Sequence, residues 1–196
     1  MQIISNFILK LSKVDRRWIF LIIGFSVLLP LFFPLGLPIR PTDTTQRVYD
    51  AFESLEPNSK VLLSCEYGPS TKPEIHPMVI ALLHQLFEKN HKVYVSCLWP
   101  DGQFMADEAL KEVAHLYNKQ YGKDYVILGY KPGNEAIIKG MVRDLRAIFS
   151  TDVKGTKVEE IPMMEGIYKF EDFNFLFYNI HFFSLNQVIH FVYRIH

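Results

Sequence analysis

Three short stretches hold most of the residues that could do chemistry. SCEYGPSTKPEIHP (64–77) sets a cysteine, two glutamates, a lysine and a histidine among three prolines, LWPDGQ (98–103) offers Trp99 and Asp101, and GYKPGNE (129–135) offers Lys131, Gly133 and Asn134. Glu66, His76 and Asp101 are the candidate general acids and bases. Lys131 is a candidate anion contact, and the amides at Gly133 and Asn134 could hold a phosphate at a helix start. The third stretch is neither G-x-G-x-x-G nor G-x-x-x-x-G-K-[ST], so the nucleotide signal is weak, and Glu135 would repel an anion. Taken singly, each residue is better accounted for as a turn former or a helix cap. Ser64 or Cys65 with His76 is the one local nucleophile–base combination, and no G-x-S-x-G elbow accompanies it.

Cys65 and Cys97 end two nearly identical runs, KVLLSC (60–65) and KVYVSC (92–97). Side by side in neighbouring strands they could form a disulfide or remain buried thiols. Two cysteines without C-x-x-C spacing build no metal site, and neither metal nor cofactor is expected.

The elements between these stretches set their positions. Each follows an apolar run of strand length, with DYVILGY (124–130) as the third such run, and each leads into a segment of helical periodicity. Met78, Leu82, Leu83 and Leu86 share one face of the first segment; Ala106, Leu110 and Val113 share one face of the second. Ile137, Ile138, Met141, Leu145 and Ile148 do so in a third helix drawn across 135–150. Alternation of this kind specifies an α/β fold: a three-layer, Rossmann-like, mostly parallel sheet of three to four strands with right-handed crossovers. In such sheets ligands bind outside the carboxyl ends of the strands. The three loops therefore share one edge, bringing Glu66, Tyr67, Lys72, His76, Trp99, Asp101, Tyr130, Lys131, Asn134 and Glu135 to the same end.

Ahead of this domain, residues 18–39 carry no charge. At about 1.5 Å of rise per residue, the run is long enough to cross a hydrocarbon core of about 30 Å. It exceeds the usual apolar region of a cleaved signal, and no A-x-A-like site follows, which favours an uncleaved single-pass anchor. Lys10, Lys13, Arg16 and Arg17 precede the run, placing residues 1–17 in the cytoplasm and the rest of the chain outside the cell (inner) membrane. Residues 3–11 have helical spacing and either lie on lipid or extend the span. Residues 40–59 read as a juxtamembrane helix and linker, capped near Thr42, with Val48, Ala51, Phe52 and Leu55 on one face. The 196 residues balance 21 Lys+Arg against 21 Asp+Glu, which argues against a nucleic-acid partner.

The α/β domain is expected over 60–172. Residues 150–166 are polar and turn-rich, with a possible short strand at 156–158, and 173–196 form an aromatic tail. FNFLFYNI within that tail suits a fourth buried strand. With no closing helix after it, an apolar face would stay uncovered; the expectation is an altered end or a partner subunit on that face.

The stretches KVLLSCEYGPSTKPEIHPM, LWPDG, YGKDYVILGYKPGNEA and STDVKGTKVEEIPMMEGI resemble a family of uncharacterised, membrane-anchored bacterial and archaeal α/β proteins with an N-terminal signal anchor. The resemblance covers roughly 17–172. It implies the topology and a prokaryotic source, and carries no catalytic residues; a glycine-containing turn expected after the fourth strand is absent here. Two functions follow as expectations: an extracytoplasmic binding or assembly module working with other membrane proteins or a second copy, or a tethered enzyme acting on a polar or anionic small molecule. A redox role for Cys65 and Cys97 is a third.

Overall fold

The computed structural model describes residues 15–33, 40–180 and 191–194. The expected lipid-associated helix at 3–11, the end of the uncharged run (34–39), and His181, His190 and His196 lie outside the described residues. The chain divides into two compact units, Met1–Pro41 and Thr42–His196.

In the first unit, helix α1 spans Arg16–Phe32, 17 residues, with Asp15 as N-cap accepting from the N–H of Arg17 at 3.0 Å. Its length is about 25 Å, shorter than a hydrocarbon core of about 30 Å. Among the described residues no helix is long and apolar enough to cross a membrane.

The second unit opens with α2 (Asp43–Glu53), capped by Thr42, whose hydroxyl accepts from the N–H of Thr45 at 3.2 Å. Then follow β1 (Lys60–Glu66), α3 (Lys72–Glu88), β2 (Lys92–Cys97), α4 (Gly102–Ala114), β3 (Tyr125–Tyr130), α5 (Asn134–Arg143), α6 (Leu145–Ile148), β4 (Phe175–Ile180) and β5 (Phe191–Arg194). The sheet order is β3-β2-β1-β4-β5. Strands β1 to β4 run parallel, and β5 lies antiparallel on the edge beside β4. The expected fourth strand is present, and the expected three to four become five. Lys60 faces Lys92 and Ser64 faces Ser96, so the repeated KVxxSC runs are neighbours in register.

Alternation along the strands builds two cores, because successive side chains point to opposite faces. Val61, Leu63, Cys65 and Tyr67 of the first strand and its end join Val93, Val95 and Cys97 under α3 and α4. Leu62, Tyr94, Val126 and Leu128 face the other way, toward α5 and α6.

Three features differ from the sequence reading. The helix drawn over 135–150 is two helices. Asp144 is extended (φ −154°, ψ 101°), and its carboxylate accepts from the N–H of Arg146 (2.9 Å) and Ala147 (3.0 Å). A carboxylate that can cap a new helix start competes with continuing the old one. The turn-rich stretch before β4 is a main cover of the second face: Val158, Ile161, Met163, Met164 and Ile167 are all buried there, around three short 3-10 turns. Instead of a strand at 156–158 there is an isolated bridge, Thr151 to Lys157, whose neighbour Val153 donates its N–H to Ile127 O on the open edge of β3. Finally, the apolar face of β4 has a cover from upstream. Phe52 of α2 packs on Phe175 at 4.5 Å and on Phe177 at 5.5 Å between ring centroids, so the helix expected as a linker belongs with the sheet.

Candidate functional site

The strand order places the direction reversal between β1 and β4. Crossovers β1→β2→β3 travel one way with helices on the first face, and the return from β3 to β4 passes over the second. The carboxyl ends of β1 and β4 therefore flank the crevice where open α/β sheets hold ligands. The loops 67–71 and 98–101 meet on the β2 side of β1, at the same end of the sheet: a methyl group added to Gly68 would stand 3.2 Å from an Asp101 carboxylate oxygen. Loop 131–133 joins them through the N–H of Lys131, which donates to Cys97 O at 3.0 Å.

The loops converge, but their side chains part. Glu66 shares the second face with Leu62 and Ser64, and is 3 % exposed. Its carboxylate accepts from Ser64 Oγ at 2.5 Å and from the N–H of Leu98 at 2.9 and 3.0 Å, bracing the end of β2 against the end of β1. Burial pushes its pKa up, opposed by the donors of Ser64, Leu98 and Trp99. His76 lies on the first face, inside the α3–α4 joint, 8 % exposed. Its Nδ1 shares a hydrogen bond with the Tyr67 hydroxyl at 2.8 Å, and its Nε2 stands 3.8 Å from Glu112 Oε2, beyond hydrogen-bond reach. Burial raises the Tyr67 pKa, with the charges of Cys65, Glu108 and Cys97 adding to it, so the phenol stays protonated and can donate to Nδ1. One turn earlier Lys72 Nζ meets Glu108 at 2.5 Å. Lys72 and His76 on α3 face Glu108 and Glu112 on α4, and the Lys72–Glu108 ion pair joins the two helices.

Glu66 and His76 thus stand on opposite faces of the sheet and form no acid–base pair. Asp101 is exposed beside Gly68. Lys131 turns to the second core, its Nζ 5.7 Å from the centroid of Phe149, a cation–π contact. Gly133 has φ 129°, and a methyl group there would press on Ile137 at 3.1 Å; Asn134 begins α5. Glu135 pairs with Lys139 at 2.6 Å, and Trp99 is 45 % exposed.

Cys65 and Cys97 are free, buried thiols in the first core. Burial raises both pKa values, and the Glu66 charge adds to it, so neither is a ready thiolate. Gly102 starts α4 against them: a methyl group there would stand 2.1 Å from Cys65 O and 3.3 Å from Cys97 Cβ. Among the described residues no group of three His, Cys, Asp or Glu side chains could hold a metal ion.

The Tyr67–His76–Glu112 array was not legible as a unit, although its signal exists. Lys72 and His76 lie four residues apart on one amphipathic helix and Glu108 and Glu112 four apart on the next, and the βαβαβ pattern makes those helices neighbours. A sequence shows each pair without showing that they face each other.

Parallel strands in the order 3-2-1-4 with helical cover on both faces define an α/β protein consistent with the Rossmann-like class. Compared with protein-family models, curated proteins and solved structures, the chain gives no match.

Proposed function

We propose that this chain is a single-pass membrane protein of the cell (inner) membrane, with a cytoplasmic N-terminus and an extracytoplasmic α/β domain that acts as a binding or assembly module. Its partners would be other membrane proteins or a second copy of the chain. One observation carries the reading: α1 is apolar on every side from Trp18 onward, and its large apolar residues from Trp18 to Phe32 are each at least 46 % exposed. A helix hydrophobic all round requires an apolar environment. The uncharged run continues from α1 to residue 39, so its length exceeds that of the described helix, and Arg16 and Arg17 stand at its N-terminal side. The resemblance to membrane-anchored α/β proteins accords with this.

Membranes from cells expressing the full chain test it. Under the proposal the protein stays in the pellet after an alkaline carbonate wash, and protease added outside right-side-out spheroplasts digests the domain. Release by carbonate, or a domain protected from external protease, overturns it.

A module is favoured over an enzyme because two of the candidate acid/base groups, Glu66 and His76, are buried and engaged on opposite faces. The enzymatic alternative, acting on a polar or anionic small molecule, keeps one supporting observation: Glu66 is a buried carboxyl beside the switch point. Calorimetric binding of small phosphates or carboxylates that is lost in Glu66→Gln would favour it.

A further inference from the structure

One buried ionisable group takes no part in the carboxyl-edge site. His91 is 1 % exposed, and neither ring nitrogen has a hydrogen-bond partner among the described residues. The end of α3 puts it there. Asn90 is left-handed (φ 61°), its N–H donates to Phe87 O at 3.1 Å, and the N–H of His91 donates to Leu86 O at 2.9 Å. These two bonds make a Schellman ending, in which the residue after the left-handed one turns inward for an apolar contact. Here that inward position holds an imidazole, so the geometry that stops the helix also buries a titratable ring.

Charged groups reach His91 from three elements: Lys89 at the end of α3, Glu53 at the end of α2, and Lys119 in the loop before β3. Glu53 is the one anion of the three. It is also the residue that fastens α2, accepting from Lys89 Nζ at 2.7 Å and from Gln85 Nε2 at 3.0 Å, while Gln85 also donates to Tyr49 O at 3.2 Å. Burial, then Lys89, hold the His91 pKa below the ordinary histidine value, with Glu53 opposing. A proton on the ring would set an imidazolium with no hydrogen-bond partner in a buried position near the Lys89 cation, so the closed joint resists a proton that an opened joint would accept.

We propose that His91 is an acid-operated latch that holds α2 seated on the sheet while its ring is neutral and releases it on protonation. The proposal stands apart from the membrane reading. Its sign follows from linkage: the open state binds the proton more readily, so the closed state is fully favoured above about pH 6.5 and is lost as pH falls below it. Each pH unit between the open-state and closed-state pKa values multiplies the open population by up to about tenfold.

Hydrogen exchange by mass spectrometry tests this on the full chain in detergent micelles at pH 7.5 and 5.5, with rates corrected for intrinsic pH dependence. Amides of α2 should lose protection by up to about tenfold relative to those of β2, and His91→Leu should keep α2 protected at both pH values. Should His91→Leu fail to fold, His91→Asn is the non-titrating substitute, and the wild-type ring is followed directly by NMR. A ring titrating below the other histidines, in step with the α2 signals, supports the latch. The proposal is overturned by unchanged α2 protection in the wild type, by equal loss in α2 and β2, by a loss that persists without the imidazole, or by a His91 ring that titrates at the ordinary value.

Discussion

Glu66 separates the two meanings a buried carboxyl can have, catalytic acid or structural brace, because its oxygens are already occupied by Ser64 and the N–H of Leu98. Its pKa is raised in the folded state, so the stability it contributes is complete below the ordinary carboxyl value of about 4.3 and is lost as pH rises through the folded-state value. Glu66→Gln keeps an acceptor for Leu98 without the buried charge. Urea unfolding should therefore show the variant gaining on the wild type as pH rises from 4 to 8; an equal deficit at both ends would count against a brace strained by its charge. Glu66→Ala should cost about 1–3 kcal/mol near pH 4, since it strands the Leu98 N–H, and less as pH rises. Gly102 and Gly68 form a second contrast. Gly102→Ala drives a methyl group into the backbone at Cys65 O and should cost about 3 kcal/mol, whereas Gly68→Ala meets only the movable carboxylate of Asp101 and should cost about 1 kcal/mol or less by thermal melting. At this scale the sequence placed the three loops at one end of the sheet, since strand-to-helix loops of parallel strands must gather there. It could not say which face each side chain takes, because one residue of phase separates Glu66 from Tyr67.

At the scale of elements, the strands and the crossover helices were readable because KVLLSC, KVYVSC and VILGY are short apolar runs between amphipathic helices. The break at Asp144 was not, since Ile137, Met141, Leu145 and Ile148 keep helical spacing straight across it. What decides is a competition between a backbone bond and a side-chain cap; Asp144→Ala should remove the cap and cost about 1 kcal/mol. Nor was the cover of β4 readable, because α2 precedes β1 by sequence and pairs with a strand more than a hundred residues away. Phe52 carries that contact. Phe52→Ala should cost about 3–5 kcal/mol, and a double-mutant cycle with Phe175 should give a coupling of about 0.5–1.5 kcal/mol. The exposed Tyr49 on the same helix should change stability by less than about 0.5 kcal/mol when truncated. Equal effects at the two positions would remove α2 from the core.

For the molecule as a whole, these contacts move the start of the folding unit upstream. A boundary at Lys60, where the first strand begins, would leave Phe175 and Phe177 without Phe52 and deprive Lys89 and Gln85 of Glu53. A boundary at Thr42 keeps the cap of α2, its aromatic contact and its polar fastening, and coincides with the division into two compact units. A protein of residues 42–196 should therefore unfold cooperatively with a midpoint within a few degrees of the full chain, because a separate unit adds little to the stability of its neighbour. A protein of residues 60–196 loses a buried phenylalanine and its supporting helix, about 3–5 kcal/mol from the ring alone. Typical domains have only about 5–15 kcal/mol in total, so this shorter protein should melt far lower or bind hydrophobic dyes at 25 °C. Melting the two truncations beside the full chain decides the point. If starting at residue 60 leaves the midpoint unchanged, α2 is a linker after all, and a latch acting through it has nothing to hold.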